Sequence, residues 1–220
     1  MRYSIQNYLK TLFSLCILDK KGIVKSSEIS KKLNLSAPSV SEMIKRLAAE
    51  GFVKTKPYKG VELTPKGRSI GQNILRHHRI WETYLHSVLG FSWDKVHDEA
   101  ERLEHASSDE VIDKLDALLG HPKFDPHGNP IPAKDGSIPS IKNEIPLSSC
   151  KKGDQVTLMR FVDLDKKFLS YIESLGISIK TTIIIEDILE LDGTYLCKNK
   201  QTHFQISAIA AEHIFVTSCA

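Results

Sequence analysis

Between positions 97 and 105 the chain reads His-Asp-Glu-Ala-Glu-Arg-Leu-Glu-His, a run in which four side chains able to ligate a metal share one helical face. At about 100° per residue, His97, Glu101, Glu104 and His105 fall within an arc of roughly a quarter turn. Isolated acids on a helix ordinarily form a solvated face, but two histidines bracketing them shift the reading toward a divalent cation. His78 and Glu82 repeat imidazole and carboxylate four residues apart, so an earlier helix can present ligands to the same space. His97 and His105 are separated by about 12 Å of axial rise, too far for one ion, which predicts two neighbouring ions. Imidazole plus carboxylate without cysteine suits Mn(II), Fe(II) or Zn(II), and abundant oxygen favours the harder of these. Zinc hydrolases draw on the same residue types, although the His-Glu-x-x-His helix of metalloproteases does not occur here.

The elements that position these residues must come from a chain of 220 residues, long enough for two or three modules with their own cores. With 41% hydrophobic and 26% charged residues the composition is that of an ordinary soluble protein. No apolar leader opens the chain and no run of eighteen apolar residues occurs, so a cytoplasmic protein that does not cross a membrane is expected. Cys16, Cys150, Cys197 and Cys219 are widely spaced, which predicts reduced thiols, with Cys16 in a core beside Leu9, Leu12 and Phe13. Charge is segregated along the chain. Residues 1–70 carry 14 Lys and Arg against 5 Asp and Glu, residues 71–150 carry 8 against 13, and residues 151–220 carry 8 against 9. A basic first third suits a polyanion and an acidic middle third suits cations.

The basic third has the pattern of a winged helix-turn-helix. Apolar spacing predicts a helix over 5–18, a short helix over 27–33, and, after Asn34-Leu35, a third helix capped by Ser36 with Pro38 in its first turn. Val40, Ile44 and Leu47 form the buried stripe of that third helix and leave Ser39, Ser41, Glu42, Lys45 and Arg46 on other faces. Two helices joined by a tight turn, the second exposing polar residues, is the arrangement that places a helix in the DNA major groove. Residues 52–56 and 61–63 then flank Pro57-Tyr-Lys-Gly as a hairpin carrying Lys54, Lys56 and Lys59, a wing for phosphate contact.

Thr64-Pro65 starts a long helix whose stripe is Ile70, Ile74, Trp81, Leu85 and Val88, with Gly90 beyond its end. Ser92 starts the helix of the ligand run, and Ser107-Ser-Asp-Glu110 reads as a capping box for a third helix ending at Leu119-Gly120. Three such helices close only a thin core, so part of their apolar surface is expected against a second copy of the chain. Residues 121–150 hold six of the nine prolines and read as an extended connection. Strand patterns at 155–161, 181–191, 195–198, 203–206 and 214–216, with a short helix over 168–175, predict a small β-barrel. The fold class is therefore mainly α with a C-terminal β domain. The expected divisions are a winged helix-turn-helix over 1–72, a helical metal-binding and dimerisation domain over 73–140, and a linker with an SH3-like domain over 141–220.

On specific motifs the chain resembles the metal-dependent repressors of the diphtheria-toxin-repressor family, including their manganese-responsive members. The motifs are Ser36-Ala-Pro-Ser-Val-Ser-Glu42, Leu63-Thr-Pro-Lys-Gly67, Arg76-His-His-Arg79 with Glu82, Lys95-Val-His-Asp-Glu-Ala100 with Glu104-His105, Ser108-Asp-Glu110 and Pro126-His-Gly-Asn-Pro-Ile-Pro132. The resemblance implies a non-enzymatic repressor that binds double-stranded operator DNA as a homodimer and controls manganese or iron homeostasis genes. The winged helix-turn-helix reading places Ser36, Pro38, Ser39, Ser41, Glu42, Lys54, Lys56 and Lys59 at the DNA. The resemblance implies one metal site from His78, Glu82 and His97 with an acid of the SH3-like domain, Asp163 or Asp165, and another from Glu101, Glu104, His105 and the first-helix residue Asn7. It also implies an anion held by Arg79 and Asn129. The manganese branch has Glu where this chain has Glu101 and the iron branch has Cys, so Mn(II) is expected first, Fe(II) as the alternative and Zn(II) in vitro. Two positions depart from the manganese branch: Asn7 replaces an aspartate, and Lys10 stands where some members carry a further acid.

A ligand on the first helix and others on the metal helix imply that metal ties the DNA-binding domain to the dimer core and favours the DNA-competent state. Loss of Glu104 is then expected to remove the metal response and leave the metal-free fold intact. Two other readings stay open: a metal-dependent enzyme acting on a nucleotide or nucleic acid, although no nucleophile or Gly-rich phosphate loop accompanies the ligands, and a metal-independent DNA-binding regulator.

Overall fold

The computed structural model describes residues 2–19, 22–162, 166–200 and 202–218. They form two compact units, one comprising Met1–Trp81, Glu101–Leu118 and Ile131–Ile138, the other Glu82–Ala100, Leu119–Pro130 and Pro139–Ala220.

In the first unit, helix α1 (Tyr3–Asp19) buries Ile5, Tyr8, Leu9, Leu12, Phe13 and Cys16 along one stripe. That stripe packs with the helix pair α2 (Ser26–Leu33) and α3 (Ala37–Ala49) through Ile29, Val40, Ile44 and Leu47. Ser36 caps α3, its hydroxyl accepting from the Ser39 amide at 3.4 Å, with Pro in the first turn. Strands β2 (Val53–Lys56) and β3 (Gly60–Leu63) pair antiparallel, and a two-residue strand β1 (Ile23–Val24), which no sequence signal marked, adds to the other edge of β3. Helix α4 (Pro65–Ser87) follows. Gly71 fixes how closely α1 and α4 approach, since a Cβ there would lie 2.3 Å from the Leu9 carbonyl oxygen.

The polar stretch Arg76 to Arg79 of α4 is buried throughout. Leu75 and Ile80 supply apolar burial that the expected stripe left out, whereas Val88 lies beyond the helix end and is 53% exposed. Helix α5 spans Trp93–Glu104 and α6 spans Asp109–Leu118. The cap of α6 is Ser108, whose hydroxyl accepts from the Val111 amide; Ser107 instead donates to the Leu103 carbonyl and accepts from the Trp81 indole. Both α4 and α5 contribute residues to each unit.

In the second unit, β4 (Ile145–Pro146), β5 (Gln155–Phe161), β6 (Thr182–Ile188), β7 (Tyr195–Lys198), β8 (His203–Ile206) and β9 (Ile214–Ser218) form one antiparallel sheet in the order β4-β9-β5-β6-β7-β8. Helices α7 (Lys166–Ser174) and α8 (Ala208–His213) complete it, and the core gathers Leu158, Phe161, Leu169, Ile172, Ile183, Ile185 and Val216 around Trp93. The strand expected to run to position 191 stops at Ile188, and Leu191 is exposed. Residues 121–150 are not a simple extended connection: Asp125, His127 and Asn129 are buried, because the loop folds onto β5 with the Phe161 amide donating to the His127 carbonyl at 2.9 Å. Gly128 makes that approach possible, at a φ of +84° and with a virtual Cβ only 2.0 Å from the Met159 carbonyl oxygen. Cys16, Cys150 and Cys197 are buried thiols, and Cys219 lies outside the described residues.

Candidate metal centres and nucleic-acid interface

The helix-turn-helix presents Ser36, Pro38, Ser39, Ser41 and Glu42 to solvent along the start of α3, because the stripe Val40, Ile44 and Leu47 turns the opposite side inward. Lys54, Lys56 and Lys59 are exposed on the hairpin, where Lys54 stands opposite Glu62 in register and Lys56 bridges Glu62 at 3.3 Å. Tyr58 projects fully exposed from the tip.

In the first unit, α1 meets the end of α5 through polar side chains. Asn7 donates to Glu101 Oε1 at 3.2 Å, and His105 Nε2 donates to Asn7 Oδ1 at 2.5 Å. Lys10 donates to both oxygens of Glu104, at 2.7 and 2.9 Å, and lies 3.7 Å from Glu101. His78 Nδ1, on α4, donates to Oε2 of the same carboxylate at 2.5 Å, and His105 Nε2 lies 3.2 Å from Oε1. Glu104 is thus a buried hub, 1% exposed, contacted by three cationic or imidazole groups. Burial alone pushes its carboxyl upward, but His78 and Lys10 outweigh that and hold it below the ordinary range. Burial also lowers the His105 imidazole, with Glu104 opposing, and among the described residues its Nδ1 has no hydrogen-bond partner. Tyr3 stacks on that ring with centroids 4.9 Å apart. His77 steadies the end of α5, lying between the Glu104 carbonyl and the Asp109 carboxylate.

In the second unit, His97 Nδ1 donates to Glu82 Oε1 at 3.2 Å, and Glu82 is 1% exposed. His78 precedes Glu82 by one turn of α4. Ligand atoms of Glu82, Asp125 and His127 all lie within 4.8 Å of one another, and all three residues are buried. His127 is 0% exposed, yet among the described residues neither ring nitrogen has a hydrogen-bond partner; its Nδ1 is 4.0 Å from Asp125 Oδ1. An imidazole buried in this way is under-satisfied unless something else binds it, and a divalent cation fits the donor set. Asp125 and His127 were absent from the ligands inferred from sequence, although their alternation in Asp125-Pro-His127 was a usable signal. Asp125 also shapes the turn, accepting from the amides of His127 and Asn129. Arg79 and Asn129 are each buried, in different units. Asp163 and Asp165 lie outside the described residues.

Comparison with known proteins matches the chain in three segments. Residues 2–61 match the family model of the iron-dependent repressor N-terminal DNA-binding domain, 64–133 that of the iron-dependent repressor metal-binding and dimerisation domain, and 145–218 the FeoA domain. The diphtheria toxin repressor of Corynebacterium glutamicum is 33% identical over 198 residues, covering 84% of this chain and 83% of that protein. The chain belongs to the diphtheria toxin repressor family of metal-dependent transcriptional repressors. The iron-dependent repressor IdeR of Mycobacterium tuberculosis is 36% identical over 126 residues, 57% of this chain and 54% of its own. Among solved structures, a manganese-dependent transcriptional repressor in complex with manganese aligns with a TM-score of 0.85 at 35% identity, covering 98% of this chain and 100% of its own. The manganese regulator SloR aligns with a TM-score of 0.78 at 30% identity over 98% of each chain. The mainly α architecture with a C-terminal β domain is the family's, and among the described residues no helix is long and apolar enough to cross a membrane.

Proposed function

We propose that this chain is a Mn(II)-activated repressor that binds a partly palindromic operator in double-stranded DNA as a homodimer and controls manganese or iron homeostasis genes. The observation that carries the proposal is the meeting of α1 with α5: Asn7 on the first helix of the DNA-binding module touches Glu101 and His105. In this reading Asn7, Glu101, Glu104 and His105 hold one ion. Glu82 holds the other with His97 and His78, or with Asp125 and His127, and Asp163 is the expected further acid. Fe(II) ranks second to Mn(II) because Glu101 supplies oxygen, and Zn(II) binding is expected in vitro.

A bound divalent cation supplies the positive charge that lets carboxylates and imidazoles of both helices share one centre. The protein's own residues set the outcome. Asn7 fixes the register of α1 against Glu101, His77 holds the carbonyl end of α5, and the α2–α3 pair takes its orientation from α1 through the shared apolar core. Ser36, Pro38, Ser39, Ser41 and Glu42 face base edges, while Lys54, Lys56 and Lys59 neutralise phosphates. Arg79 and Asn129 are the anion ligands. Exposed Val88, Leu89, Val111 and Leu118 are apolar surface suited to a second copy. The modules 1–72, 73–140 and 141–220 fit this division of labour, no residue is assigned a catalytic role, and the protein works in the cytoplasm. Fluorescence anisotropy on operator DNA tests the reading: tight binding with Mn(II), at least about tenfold weaker binding with chelator, is expected. Equal binding in both conditions refutes it in favour of a metal-independent regulator, and metal-dependent turnover of nucleic acid refutes it in favour of an enzyme.

A further inference from the structure

We propose that Lys10 is a resident cation of the α1–α5 site, which ties α1 to α5 without metal and lowers the site's capacity for divalent ions. This rests on the proposed reading of Asn7, Glu101, Glu104 and His105 as a metal site. Lys10 is 9% exposed, and its ammonium lies 2.7 and 2.9 Å from the two oxygens of Glu104 and 3.7 Å from Glu101. A lysine this buried is held only where its charge is matched, and the matching carboxylates are those that would bind the ion. The position is therefore already filled by a charge. Ligand oxygens divided between an ammonium and a metal bind the metal less well, and the two cations repel across a short distance in a poorly hydrated site.

Charge counting sharpens the point. Among the four residues read as ligands, Glu101 and Glu104 bring two negative charges and the Asn7 amide none, and Lys10 cancels one. A divalent ion then leaves the centre with one excess positive charge. With lysine replaced by a neutral residue the same ion is fully matched. Lys10 thus moderates the affinity of the site for a divalent ion. The same ion pair makes the α1–α5 junction partly assembled in the metal-free protein, so metal adds to a link already present.

The test uses the full-length protein and Mn(II) chloride alone. Calorimetric titration of the metal-free K10Q and K10M variants should show Mn(II) binding tightened by about tenfold or more, with K10R close to wild type. His105→Ala on the K10Q background should cancel the gain and so assign it to this site. In the absence of metal, hydrogen exchange in α1 should be faster in K10Q than in wild type, the opposite direction from its effect on metal. Unchanged or weaker Mn(II) binding in both neutral variants overturns the inference, as does a K10R variant that gains as much as K10Q. Wild type that binds Mn(II) here with K10Q no different overturns this inference alone. Mn(II) uptake here by K10Q but not by wild type supports Lys10 as a blocking cation and removes this site from the proposed activation. Uptake by neither overturns both.

Discussion

Replacing Asn7 by aspartate puts a full negative charge where an amide now donates to Glu101 at 3.2 Å. Without metal, two unit charges at that separation repel by about 1 kcal/mol in water-like surroundings and about 5 kcal/mol at an effective permittivity of 20. The Glu101 side chain is 42% exposed and Lys10 lies 3.7 Å from it, which places the net cost near the lower bound, at about 1–2 kcal/mol. For a chain of this size that lowers the metal-free melting temperature by about 2–8 °C. With metal the sign reverses, since the same carboxylate attracts a divalent cation with twice the charge. A gain of at least about tenfold in Mn(II) affinity follows, and it also recovers the lost stability through mass action. Calorimetry on Asn7→Asp gives the affinity, and differential scanning with and without Mn(II) gives both melting shifts. A folded variant with unchanged Mn(II) affinity and an unchanged metal-free melting temperature refutes the reasoning: Asn7 is then no ligand, and α1 has no part in a metal-driven switch.

Glu104→Ala is expected to destabilise the metal-free protein by about 3–5 kcal/mol in urea unfolding, because it strands the buried Lys10 ammonium; the expectation from sequence, that the metal-free protein stays folded, does not include this cost. Burial notwithstanding, His78 and Lys10 keep the Glu104 carboxyl below its ordinary value of 4.5. Its stabilisation is therefore complete above that value and is lost as pH falls below it, so Glu104→Gln should flatten the decline in metal-free stability as the pH is lowered through and below that value. The double variant Lys54→Ala/Lys59→Ala should weaken binding to all DNA sequences and reduce the slope of log affinity against log salt by about 2, and an unchanged slope removes the wing from the interface. Glu101→Cys should move the response toward Zn(II) and Fe(II), measured as the ratio of operator affinities with each ion; a ratio equal to wild type places Glu101 outside the ion's ligand shell.

The elements were legible because their signals are local. Apolar spacing in α1, the Ser36 cap with Pro38, and the alternation of β5 and β7 depend on residues a few positions apart. The two-residue strands β1 and β4 are too short to carry a period, and they exist only because β3 and β9 offer an edge. The ligand run was legible in type but incomplete in membership. Helical geometry groups His97 with His105, yet His97 meets Glu82 while Glu101, Glu104 and His105 meet α1, because what divides them is the surface each helical turn packs on. The proline-rich segment was misjudged for a related reason. Prolines mark departure from regular structure, and Pro126 and Pro130 do so in a loop pressed against β5 by Gly128, with Asp125 and His127 buried inside it.

Lys10 and His127 show what a chain of letters withholds. In the sequence Lys10 stands out only as a departure from the acid of some members, and His127 only as part of the Pro126–Pro132 motif; neither burial nor partner is legible. Tertiary packing removes water from both, and the two then differ in one respect: Lys10 gains a carboxylate partner at 2.7 Å, whereas among the described residues His127 gains no hydrogen-bond partner at either ring nitrogen. A buried charge that is matched opposes the arrival of another like charge; a buried imidazole that is unmatched favours a ligand. In the proposed reading the two sites differ on that ground: the buried His127 imidazole favours a cation, while the α1–α5 junction is held by Lys10 already, so the junction is where the charge of a single side chain would tune the threshold of the response.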